Sequence, residues 1–228
     1  MNRKTFSRQR AESQGDNMKK LINFFICGRS KIHVDKLNWF CSLPPEVLPV
    51  DLKFRVNSLE AGSDFETAIL FIDPQSFPLK TVVTIPDVST IFDNQVVQFA
   101  ETLILYLIDR TVTVEDLKKL NNKTVVFKYC TSSRVMVSLI KHHIETKKDI
   151  RTTFVSPTCN KRFISGMLRK FEKAFGEYKT DLDGVNERFL PGSSRFSIPI
   201  NDKCRINVYA TDESKKGFNI FVKPVLEL

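Results

Sequence analysis

Residues 123–156 constrain the fold of this 228-residue chain more than any other stretch. Lys123–Cys130 (KTVVFKYC) is rich in β-branched residues and reads as a strand. Ser132 or Ser133 then caps a helix through about Lys147, and Arg151–Ser156 (RTTFVS) is a second strand. Strand, helix and strand joined by short connections predict parallel pairing through a right-handed crossover. The fold class expected is therefore α/β.

The flanking segments are assigned around that centre. Leu52, Phe54 and Val56 alternate with Lys53 and Arg55, a half-buried strand. Thr67–Ile72 and Thr81–Ile85 are the next two expected strands. From Asp93 or Asn94 to about Arg110, the stripe Val97, Ala100, Leu103, Ile104, Leu107 and Ile108 predicts a long, deeply buried helix. Thr113 to Asp116 has the spacing of a capping box and opens a short helix ending near Leu120. A basic amphipathic helix follows over about Asn160–Tyr178. Arg195–Ile200, Arg205–Ala210 and Phe218–Val222 close the chain as an antiparallel meander. The whole is a mixed sheet with a parallel strand-helix-strand centre. Residues 1–17 form a polar, disordered head, 18–43 a helical segment, and 44–228 the α/β domain.

Charge is local. The net charge of +9 resolves into +6 over residues 1–34, −3 over 35–140, +6 over 141–179 and zero thereafter. Such clusters suit nucleic acid, an anionic surface or an acidic protein, and equally a solvated face. The five cysteines form no CxxC pair, and the adjacent His142 and His143 diverge on a helix, so no metal centre is expected. Leu21–Cys27 (LINFFIC) is too short to span a bilayer and is followed by Gly28-Arg29-Ser30-Lys31 rather than a cleavage site. The expectation is a chain with no transmembrane segment, in the cytoplasm or nucleus.

The order of motifs resembles one family. Leu21 through Lys31 resembles the helix that closes the F-box in the large nematode F-box family. Val114–Leu120 and the strand after it resemble the "S-L-E-D-L-x-x-L" segment of the type-2 F-box-associated domain. Ser138–Ile144 is similar to that domain's "L-K-H-W-I" helix, with His143 in place of Trp. Phe196–Val208 and Phe218–Val222 are similar to its closing strands. The resemblance implies a non-enzymatic substrate receptor of a ubiquitin ligase, with a protein substrate on the associated domain and no cofactor. It also implies an adaptor-facing surface at Leu21, Ile22, Phe24, Phe25 and Cys27. Where the family has the hydrophobic opening of its F-box, this chain has the polar residues 1–17, so much of that interface is missing.

Two loops predicted to follow parallel strands, Cys130–Arg134 and Ser156–Arg162, lead into helix N-termini. Their hydroxyls and Arg134, Lys161 and Arg162 can hold an anion, or Ser132, Ser133, Thr158 and Asn160 are simply caps. Arg169 and Lys173 extend the basic stripe toward a partner. No P-loop, GxGxxG or phosphatase loop is present, and three histidines assemble no hydrolase triad. Three functions follow: a protein-interaction module, a nucleic-acid or anionic-surface binder using the head and residues 141–179, and an enzyme acting on an anionic substrate at the strand-end loops.

Overall fold

Six strands run parallel in the order in which the chain makes them. The computed structural model describes residues 20, 24–26, 29–39, 51–86, 89–108, 112–129, 133–213 and 217–226. The strands are β1 (Lys31–Trp39), β2 (Lys53–Ala61), β3 (Thr81–Thr84), β4 (Thr102–Tyr106), β5 (Thr124–Lys128), β6 (Thr153–Thr158), β7 (Phe196–Asn201), β8 (Cys204–Asp212) and β9 (Phe218–Leu226). They form one sheet of order β1-β2-β3-β4-β5-β6-β9-β8-β7. β1 to β6 are parallel, and β9, β8 and β7 add the antiparallel meander. The α/β class and both of its expected parts are present.

Helices α1 (Phe65–Ile69), α2 (Gln95–Phe99), α3 (Val114–Lys118), α4 (Ser133–Thr146) and α5 (Lys161–Phe175) lie between the strands. A right-handed crossover that always steps to the next strand in the same direction leaves its helix on the same face each time. The core follows that rule. Leu59, Val82, Leu103, Val125 and Phe154 stand side by side in the pairing register, and all are buried. They join Phe65, Val97, Leu117, Met136, Leu139, Ile164, Leu168 and Phe171 of the five helices in one cluster.

The register exposes a repeat. Lys36, Ser58, Thr81, Thr102, Thr124 and Thr153 are successive neighbours across β1 to β6, separated by 22, 23, 21, 22 and 29 residues. One strand and one short helix per roughly 20–29 residues is the unit of a solenoid. The turns ahead of the strands continue the ladder. The Glu101 amide donates to the Leu79 carbonyl, Thr124 to Glu101, and Thr153 to Lys123, at 3.0–3.1 Å. Asn122 ties two repeats together, its Nδ2 donating to the carbonyls of Val97 (2.8 Å) and Ala100 (2.7 Å), while its own carbonyl accepts from Thr152 Oγ1 (2.8 Å).

Several local expectations hold. Thr113 Oγ1 accepts from the Asp116 amide and Asp116 Oδ2 accepts from the Thr113 amide, the full capping box of α3. Three others are corrected. Thr67–Ile72 is not a strand: Phe65 and Ala68, one helical turn apart, are the buried residues of α1. The long helix over 93–110 is instead the five-residue α2 followed by β4. Ala100 turns extended (ψ 142) between them, and Leu103 and Leu105 bury one face while Thr102, Ile104 and Tyr106 take the other. Within the segment 18–43, expected to be helical, 31–39 is strand β1, with Ile32, Val34, Leu37 and Trp39 turned to the inner side. Phe24–Ile26 is helical as expected.

Candidate functional site

The sheet face opposite the helices carries a continuous row of side chains. Val83, Ile104, Val126, Val155, Phe221 and Tyr209 are successive partners across β3, β4, β5, β6, β9 and β8. Every one of them stands on the face that carries no helix among the described residues, because the residues before and after it on its strand point into the core. At about 4.8 Å per strand, the row from Val83 to Phe221 runs about 19 Å. Ile104, Val126, Val155 and Phe221 are half-buried, and Val83 is buried.

A hydroxyl row made of Thr81, Thr102, Thr124 and Thr153, all half-buried, lies along one side of this apolar row. On the other side, Tyr106 pairs with Lys128. Tyr129 follows, 75% exposed with its ring 5.5 Å from that of Tyr106. Its backbone is in the left-handed region (φ 74), a conformation that costs a non-glycine residue about 1–2 kcal/mol. Strands β3, β4, β5, β6 and β9 carry only two charged residues, Lys128 and Lys223. Both are basic and both are on this face.

One end of the face is closed. Phe189 meets Tyr209 edge-on at 5.4 Å, Phe221 stacks on it at 5.3 Å, and the Tyr209 hydroxyl donates to Glu187 Oε1 at 3.2 Å. Burial, followed by the Glu187 carboxylate, pushes the Tyr209 phenol well above its ordinary value. Lys223 Nζ reaches the same Glu187 oxygen at 3.3 Å, and Arg195 covers the Phe189 ring at 4.8 Å. The open part therefore runs from β3 to β9.

The cations singled out from the sequence lie elsewhere. Arg134, Lys161, Arg162, Arg169 and Lys173 are all exposed, on α4 and α5. Asn160 Oδ1 accepts from the amides of Arg162 and Phe163 and so caps α5, while Thr158 Oγ1 accepts from the amide of Asn160 and braces the turn ahead of the helix rather than capping it. Lys161 and Arg169 line one cleft of about 220 Å³ with Ser165, Gly192, Ser193 and Ser194. Arg134, Arg162 and Lys173 do not line it. Leu21, Ile22 and Cys27 lie outside the described residues. Phe24 and Phe25 are 82% and 65% exposed, in mutual contact at 5.1 Å, while Ile26 packs against the core.

A larger cavity of about 630 Å³ lies between α3, α4 and the turns preceding β5 and β6. Leu117, Leu120, Leu139, His142, His143 and Asp149 are among its walls. His143 Nδ1 is 2.9 Å from the Lys148 carbonyl, and burial lowers the His143 pKa. His143 is half-buried, its ring held to the turn that follows α4. Among the described residues no group of three or more His, Cys, Asp or Glu is placed to hold a metal ion, and no helix is long and apolar enough to cross a membrane.

The open face escaped sequence reasoning because its signal is a 21- to 29-residue recurrence of Thr followed by an apolar residue. Each strand alone is five residues or so, and only the recurrence reveals that Ile104, Val126 and Val155 belong to one surface.

Fold and surface together define, among the described residues, a single-wound α/β repeat protein with helices on one face of its parallel sheet and a half-buried apolar row on the other. The chain belongs to the family described as a domain of unknown function (DUF3557), whose model matches residues 15–160. That span runs from ahead of β1 to the end of β6 and covers the parallel repeats, stopping before the meander. No curated protein and no solved structure matches the chain.

Proposed function

We propose that this protein is a protein-interaction module whose sheet face opposite helices α1 to α5 takes a polypeptide segment combining apolar side chains with flanking carboxylates. One observation carries the reading: a half-buried apolar row, Ile104, Val126, Val155 and Phe221, across four strands whose own charged residues, Lys128 and Lys223, are both basic, Lys223 already being paired with Glu187. Parallel sheets ordinarily have both faces covered. Hydroxyls beside the row supply hydrogen bonds to a backbone, and Tyr106 and Tyr129 supply the aromatic contacts that dominate many interfaces. Strand order supports binding over catalysis. Ligand crevices of open α/β sheets form where the order reverses, and β1 to β6 run in chain order without reversal.

The likeness to F-box substrate receptors supports the same reading, with the apolar pair Phe24 and Phe25 as the remnant adaptor contact. The purified ubiquitin-ligase adaptor is then expected to bind the full chain and to lose binding in an F24A/F25A variant. No binding to the full chain overturns the ligase assignment alone.

The face itself is tested by panning a random 16-residue peptide library against the full-length protein. Enriched peptides should combine Asp or Glu with Leu, Ile or Phe. Fluorescence polarisation should show at least a tenfold weaker Kd for V126E, measured at a temperature where circular dichroism shows the variant folded, and a smaller loss for the milder V126T. Enrichment without that bias, or undiminished binding by both variants, overturns the reading. So does a single-stranded oligonucleotide that binds more tightly than any selected peptide, with the steep salt dependence of phosphate contacts.

A further inference from the structure

The cleft between α5 and the loop 190–194 has a donor set that the sheet-face reading does not use. Lys161, Ser165 and Arg169 are spaced i, i+4 and i+8, which aligns them on one stripe of α5 at about 6 Å intervals. The loop opposite supplies Gly192, Ser193 and Ser194. Leu190 anchors it, its amide donating to the Ala210 carbonyl at 2.8 Å and its carbonyl accepting from Ser193 Oγ at 2.7 Å. Gly192 then turns through the left-handed region (φ 71).

Among the described residues neither Lys161 nor Arg169 is engaged by a carboxylate. Glu172, which also lines the cleft, is held by Lys179 Nζ at 2.8 Å. The amides of Gly192 and Ser194 and the Ser194 hydroxyl have no acceptor among the described residues. The residues lining the cleft therefore bring together two unpaired cations, three unspent neutral donors and one carboxylate already paired with Lys179, from the helix and the loop that faces it. Its volume of about 220 Å³ is below the ~300–1,000 Å³ of drug-sized pockets, so it suits one small oxyanion and not a whole nucleotide.

We propose that this cleft binds a phosphate monoester dianion, with Arg169 and Lys161 neutralising its charge and the Gly192 and Ser194 amides with the Ser194 hydroxyl donating to its oxygens. A phosphoryl group matches the donor set better than a carboxylate, because three terminal oxygens can accept from both sides of the cleft at once. The site is separate from the sheet face, and either can fail without the other.

The test titrates inorganic phosphate and a phosphoserine peptide into the ¹⁵N-labelled full chain. Saturable amide shifts should be confined to Gly192–Ser194 and the first two turns of α5. R169Q and K161Q, both exposed substitutions, should each weaken binding about tenfold or more, while R134Q leaves it unchanged. A phosphopeptide that binds more than tenfold tighter than inorganic phosphate identifies a phosphorylated polypeptide as the source; equal affinity identifies the free anion. Shifts that do not saturate, that spread over all basic surfaces, or that persist undiminished in R169Q overturn the proposal.

Discussion

Replacing Asn122 by leucine, its near-isosteric apolar counterpart, tests whether the repeats are held together by the turn before β5. Asn122 is 1% exposed, and its Nδ2 satisfies two carbonyls, those of Val97 and Ala100, where the chain passes from α2 to β4. Leucine leaves both without a donor in a place the wild-type protein keeps dry. Each buried carbonyl stranded in this way costs about 1–3 kcal/mol. Asn122 Oδ1 is itself buried without a partner, so removing it recovers about 1 kcal/mol. The bond from Thr152 Oγ1 goes to the Asn122 backbone and survives the substitution. The net loss expected is about 2–4 kcal/mol. With a urea m-value of about 3 kcal/mol/M, the midpoint falls by about 1 M at unchanged m. Asn122→Asp should be no better, since a carboxylate cannot donate. Asn121→Ala is the control. Asn121 is exposed and its side chain gives one 3.3 Å bond, to the Lys119 carbonyl, while its backbone bond to Gln98 survives the substitution, so the loss should stay within about 0.5 kcal/mol. A deficit under about 1 kcal/mol for Asn122→Leu, or one equal to that of Asn121→Ala, would refute the claim that this side chain links the repeats.

Two further substitutions probe the meander side of the sheet. Tyr209 has its pKa raised in the folded protein, so the stabilisation it contributes is intact below the unfolded value of about 10 and declines as pH rises above that. Absorbance titration should show one of the four tyrosines ionising only together with unfolding, a step absent in Tyr209→Phe; four tyrosines titrating in the native protein would contradict the burial argument. Gly217→Ala places a Cβ 2.8 Å from the Thr158 carbonyl oxygen at φ 101, with backbone on both sides of the clash. Urea unfolding should show a loss of about 1–3 kcal/mol, and stability equal to wild type would mean the β8–β9 turn is looser than its geometry implies.

The sequence was most readable where one element carried enough residues to show a period. The helix over 161–175 repeats its apolar residues across four turns, and the helix over 133–146 shows the same pattern. The two strands beside them alternate cleanly. It was least readable in the repeats before them, where helices of five residues complete less than two turns and fall below the window in which a helical stripe can be told from a strand. Gln95–Phe99 is such a helix. Its apolar residues merge with Thr102–Ile108 into one run that satisfies a 3.6 period, and only pairing with β3 and β5 turns the second part into a strand. The phosphate cleft was half legible. Lys161 and Arg169 both stand out in the sequence, the first beside Arg134 and Arg162 and the second beside Lys173, but Gly192–Ser194 arrive from a loop that shares no pattern with the helix and whose approach depends on the Leu190–Ala210 bond.

What the open face requires of its partner follows from how little its apolar row can contribute alone. Ile104, Val126, Val155 and Phe221 are already half-buried by their neighbours on the sheet. Completing their burial adds about 1 kcal/mol each, half the value for a side chain taken wholly out of water. The resulting ~4 kcal/mol corresponds by itself to no more than millimolar binding, before the cost of immobilising a partner. Reaching micromolar affinity needs about 4 kcal/mol more. The groups placed to supply it are the hydroxyls of Thr81, Thr102, Thr124 and Thr153, the exposed ring of Tyr129, and Lys128 as a partner for a carboxylate. Lys223 is already committed to Glu187, which leaves Lys128 as the charge a partner can gain. A peptide that binds this face should therefore lose more on neutralising the carboxylate opposite Lys128 than on removing any other charge, and K128E should reverse its preference from acidic to basic sequences. Binding that ignores the charge at position 128 would mean the row is recognised by shape alone, or is not the binding surface.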